Sequence, residues 1–99
     1  MPSAIAKIDN TVIADSEETI KVEGNHYFPK DSVNFELLTK TDLSTVCHWK
    51  GNASYFTINV DGKEYDNAAW TYEDPTSDRA MPIKDYVAFY GNVVNVEDK

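Results

Sequence analysis

Along this chain apolar residues alternate with polar ones instead of recurring at every third and fourth position. The apolar runs are short and separated by turn dipeptides, a pattern that predicts antiparallel β structure and little helix. Ten strands are expected, over residues 4–8, 11–14, 19–23, 33–38, 46–50, 54–60, 63–65, 68–72, 86–90 and 93–96. Asp9-Asn10, Asp61-Gly62 and Gly91-Asn92 each lie between apolar runs. These residues tolerate the positive φ of two-residue turns, so three tight hairpins are expected. Alternation puts Phe56, Ile58 and Val60 on one face of their strand and Tyr55, Thr57 and Asn59 on the other, and turns Val33, Phe35 and Leu37 inward. The expected fold class is all-β, a small antiparallel two-sheet domain.

Two stretches depart from the pattern. Pro29-Lys30-Asp31-Ser32 suits one helical turn, and residues 74–85, with Pro75 and Pro82 among small polar residues, read as a loop. Loops of about twelve residues are commonly lids or binding loops, the plainer alternative being a connector.

Composition narrows the class without changing the fold. Ninety-nine residues, 41% hydrophobic and 26% charged, suit one globular domain over residues 1–99 and are too few for two. Seventeen Asp and Glu against nine Lys and Arg give a net charge of −8, which repels polyphosphate and anionic lipid. Nucleic acid and membrane are therefore not expected partners. The single Cys47 has no intramolecular disulfide partner, and residues 1–7 lack the apolar run of a signal peptide, so a cytoplasmic location is expected. On that expectation the sequon Asn52-Ala53-Ser54 is a chance match.

Candidate chemistry is concentrated in residues 45–56 and 68–75, which together hold the Cys, both Trp and one of the two His. Zinc fails on counting: Cys47, His48 and the distant His26 do not complete four paired ligands, and no metal or other cofactor is expected. Nucleophilic catalysis by Cys47 would need a base. Extended geometry sends Cys47 and Trp49 to one face and His48 and Lys50 to the other, so Cys47 reads better as a small apolar wall residue. Lys50-Gly51-Asn52 reverses the order of a phosphate loop, and Lys63 sits where a calcium loop needs an oxygen. What remains is an aromatic and cationic group: Cys47, Trp49, Lys50, Trp70, Tyr72 and Tyr90, with Tyr86 beside them. Trp70 shares a face with Ala68 and Tyr72, and Tyr90 with Ala88 and Tyr86, so small residues leave room beside large rings. Such a pattern can wall a small-molecule cleft. Its alternative is a plain aromatic core from which Lys50 reaches to water.

These residues also carry a resemblance. Tyr27-Phe28-Pro29, then Thr45-Val46-Cys47-His48-Trp49-Lys50-Gly51 with Ala53 and Tyr55, then Asn67-Ala68-Ala69-Trp70 with Tyr72 and Pro75, then Tyr86-Val87-Ala88-Phe89-Tyr90 resemble the domain of unknown function 427 family, over nearly the whole chain. That family is also filed as nucleotidyltransferase-like, but no residue here supplies the carboxylate-bound metals or phosphate loop of nucleotidyl transfer. The resemblance implies a β-tent fold, related in shape to methionine sulfoxide reductase B and to the cereblon ligand domain. It implies a ligand or active site on the aromatic face of a sheet, at Trp49, Lys50, Trp70 and Tyr72. The zinc cysteines of some β-tent relatives are missing, so their metal does not carry over.

Two functions follow from different classes. One is a pocket for an unidentified small planar or anionic molecule, with Lys50 neutralising charge and the indoles stacking; the residues do not decide whether it also catalyses. The other is an accessory interaction domain whose motif residues are core. Neither fixes the oligomeric state.

Overall fold

The computed structural model describes residues 2–99, and among these lie nine strands in three antiparallel sheets. β1 (Ala4–Ile8) runs between β2 (Thr11–Ser16) and β9 (Asn95–Asp98). β3 (Ile20–Val22) and β4 (Asn25–Tyr27) form a two-stranded ribbon. β5 (Leu38–Cys47), β6 (Gly51–Val60), β7 (Lys63–Tyr72) and β8 (Val87–Phe89) form the main sheet in that order. The only helical pieces among the described residues are single 3-10 turns at Lys30–Ser32, Phe35–Leu37 and Met81–Ile83. The all-β antiparallel class read from alternation is what forms, with the ribbon as a third, smaller sheet.

Local chemistry explains where strands and expectations part. Of the expected strand 33–38 only Leu38 is extended, as the start of β5, because the Asn34 side chain accepts a hydrogen bond from the Glu36 amide and wraps Phe35–Leu37 into a turn. Val33 is still buried, through a bridge to Ala14, while Phe35 and Leu37 pack half-buried against the core. Residues 63–65 and 68–72 run together as β7, the register slipping opposite Thr57, where Asn67 takes φ +52. Asp9 and Asp61 turn their hairpins with positive φ, as expected. Gly91-Asn92 does not make a hairpin, because β8 and β9 belong to different sheets. The third two-residue hairpin is instead at Glu23-Gly24, with φ +53 and +84.

The main sheet buries both faces. On one, Ile58, Val60, Ala69, Val87 and Phe89 pack against Ala4, Ala6, Ile8 and Ile13 of the β1–β2 layer. Alternation places Ala53, Tyr55, Trp70, Tyr72 and Ala88 on the other, where Tyr27 and Ile83 cover them. The cover arrives because Phe28 exchanges both backbone hydrogen bonds with Val87, at 2.8 and 2.9 Å, extending the free edge of β8. The ribbon therefore has two faces: Ile20, Val22 and Tyr27 pack on the aromatic cluster, and His26, pointing the opposite way from Tyr27, lines a separate cavity with Lys21.

Candidate functional site

The site is built on the hairpin between β5 and β6. Cys47 pairs with Gly51, so β5 stops at Cys47 and His48, Trp49 and Lys50 form the turn. The expected strand 46–50 would have sent Trp49 and Lys50 to opposite faces, but a turn ends that alternation. Gly51 closes it at φ +105 in a place with no room for a side chain: an added Cβ would lie 3.0 Å from the Asp74 carbonyl oxygen and 3.3 Å from Thr76 Cγ2. Glycine is what lets the 74–85 loop lie flat on the turn. Ser77 Oγ then donates to the Trp49 carbonyl at 2.5 Å, and the Arg79 guanidinium sits 4.7 Å over the Trp49 ring.

Lys50 points into this corner and is only 7% exposed. Its ammonium lies 5.2 Å from the Trp49 ring centre and 5.4 Å from that of Tyr72, within cation–π range of both. It also pairs with the carboxylate of Glu23, which reaches over from the ribbon turn and is itself 57% exposed. Burial alone would push the Lys50 ammonium down. The Glu23 carboxylate together with the Tyr27 and Tyr72 phenols outweighs it and holds the group above the usual lysine range. At neutral pH the phenols are uncharged, so Glu23 is the partner that matters.

Trp70 lies deeper. Its Nε1–H donates to the Tyr27 hydroxyl at 3.2 Å, the two rings meeting edge to face, and Tyr27 also lies 6.5 Å from Tyr72. Burial raises the pKa of Tyr27 and of Tyr72, with the Lys50 charge pulling each back. Tyr90 packs 4.6 Å from Trp70 and lies parallel to Tyr55. The neighbouring Tyr55 hydroxyl and partial burial push Tyr90 up to about 12.

Trp49, Lys50 and Tyr72 thus meet directly. Cys47 is half-buried against the same cluster, Trp70 joins through Tyr27, and Tyr90 joins through Trp70 and Tyr55. His48 faces solvent at the turn. Sequence reasoning missed Glu23, Ser77 and Arg79. The available signal for Glu23 was Ile20-Lys21-Val22 and His26-Tyr27-Phe28 flanking Glu23-Gly24-Asn25, a hairpin pattern with an unusual residue at its turn.

Two cavities lie elsewhere. They have volumes of about 340 and 330 Å³ and open on the ribbon's other face, and Lys21, His26 and Asp98 line both. There His26 is hydrogen-bonded to Thr19 Oγ1 at 2.7 Å and to Asp98 at 2.5 Å. The hydroxyl–imidazole–carboxylate order resembles a nucleophile relay, but Thr19 is 2% exposed and cannot meet a substrate. The chain of bonds fastens the last strand to the ribbon. Asp98 is held below the usual carboxylate range by His26 and then by Lys21. Among the described residues, no three His, Cys, Asp or Glu side chains gather to hold a metal, and no helix is long and apolar enough to cross a membrane.

A family model described as a domain of unknown function, DUF427, matches residues 4–99. No curated protein matches the chain.

Proposed function

The chain belongs to the DUF427 family, and we propose that it binds a small planar or anionic molecule at the corner where Trp49, Lys50 and Tyr72 meet, with Cys47, Trp70 and Tyr90 as wall residues. The observation that carries the reading is the buried ammonium of Lys50. Its one ion-pair partner among the described residues, Glu23, is largely in water, and a buried lysine held among aromatic faces is suited to attract an anion or a π-rich ring. The half-buried Trp49 ring offers a stacking surface at the mouth of the same corner. No step of bond chemistry is assigned to these residues.

The reading is tested by a thermal-shift screen of metabolites, followed by NMR of the indole Nε1–H resonances. A ligand at 100 times its dissociation constant should stabilise the chain by about 2.7 kcal/mol and move the Trp49 resonance. Lys50→Met should remove that response. A screen in which no compound moves Trp49 would overturn it. The competing accessory-domain reading is favoured by one observation, the 8% and 6% exposure of Trp70 and Tyr72 within a filled cluster. It expects a silent screen and surface, not corner, substitutions to disturb partner binding.

A further inference from the structure

We infer that the molecule taken at this corner is a planar carboxylate, and that the Glu23 carboxylate occupies the place its own carboxylate takes on Lys50. The inference rests on the binding reading above and names the ligand's chemical class.

Three observations carry it. The first is the asymmetry of the ion pair: the Lys50 side chain is 8% exposed and the Glu23 side chain 57%. Glu23 can swing into water and be solvated, whereas Lys50 cannot be left unpaired without a large penalty. Whatever displaces Glu23 must bring its own negative charge, and the place already fits a carboxylate.

The second is the conformation of Glu23. It takes φ +53 at the first position of a turn that ordinarily holds Asn, Asp or Gly. Glutamate is strained there, and nothing in the hairpin needs it. What its side chain does is reach a lysine 27 residues away. Strain kept at a turn for the sake of one side-chain contact points to a role for that contact.

The third is the Trp49 ring, with the Lys50 ammonium 5.2 Å and the Arg79 guanidinium 4.7 Å from its centre. Arg79 enters none of the ion pairs among the described residues. A planar ring can take the guanidinium's place on the indole while its carboxylate meets Lys50, with Arg79 as a second cation at the rim. The overall charge of −8 argues for a single negative charge over a polyphosphate, since only the local cations offset the repelling field.

The test uses three probes, benzoate, benzamide and cyclohexanecarboxylate, on the native chain and on Glu23→Gln, followed by the Trp49 Nε1–H resonance. Removing the internal competitor should tighten benzoate about tenfold or more, as expected when a blocked site becomes fully available. Benzamide should not bind, and cyclohexanecarboxylate should bind more weakly than benzoate. Glu23→Gly, which suits the positive φ, repeats the test should the glutamine chain fold poorly. Equal binding of benzamide and benzoate, or benzoate affinity indifferent to both Glu23 variants, overturns the carboxylate assignment while binding at the corner stands. Silence from all three probes also overturns it. The binding reading itself falls only if the broad metabolite screen leaves Trp49 unmoved as well.

Discussion

The buried ammonium of Lys50 is neutralised by the exposed carboxylate of Glu23, a residue 27 positions earlier on a separate ribbon. That contact ties the β3–β4 turn to the β5–β6 turn and decides how each residue of the pair should respond to substitution.

Glu23→Gln should be the costlier change. It strands a buried cation, a loss of about 3–5 kcal/mol for fully buried pairs, which solvent access at Glu23 reduces to about 1–2 kcal/mol. Lys50→Met keeps the aliphatic stem and leaves Glu23 in water, so it should be close to neutral. Lys50→Ala, which also removes the buried stem, would open a gap and should cost more than Lys50→Met. Urea denaturation of the two variants measures the difference, and a larger loss for Lys50→Met would contradict this account.

Gly51→Ala should cost about 2–4 kcal/mol, because the new methyl meets the Asp74 carbonyl at 3.0 Å on a backbone at φ +105. Gly62→Ala, at φ +80 with nothing within 4 Å, should cost about 1 kcal/mol from strain alone. Equal midpoints for the two would show that the 74–85 loop does not rest on Gly51.

At alkaline pH the phenols should govern stability. Burial raises Tyr27 and Tyr72, and the Tyr55 hydroxyl beside Tyr90 raises it to about 12. Groups with raised native values contribute fully below the unfolded value, about 10, and lose the contribution as pH climbs through the native ones. Phenolate absorbance of the native chain should lag that of the urea-unfolded chain between about pH 10 and 12. Coincident curves would refute the burial argument.

On the acid side the sign reverses. Lys40 holds Glu73 below its ordinary value, and His26 does the same for Asp98. Their contribution is complete above about pH 4 and fades as pH falls through the native values. Asp98→Asn and Glu73→Gln should each flatten the acid limb of a stability–pH curve. An unchanged slope would mean that these exposed carboxylates are fully screened.

Much of this protein was legible in its residues. Period-two alternation and the Asp9 and Asp61 turns specify antiparallel strands because both depend only on neighbouring positions. The same logic put Trp70 and Tyr72 on one face, and the family motif drew attention to Trp49 and Lys50. Tertiary structure decided the rest. That Lys50 is buried and paired, that Ser77 and Arg79 dock on Trp49, and that Tyr27 meets Trp70 from 43 residues away all follow from the ribbon continuing β8 and from the 74–85 loop settling on Gly51. Contacts between residues so distant along the chain leave no periodic trace in it. They are fixed only when sheets and loops pack and a buried charge must find a carboxylate to pair with.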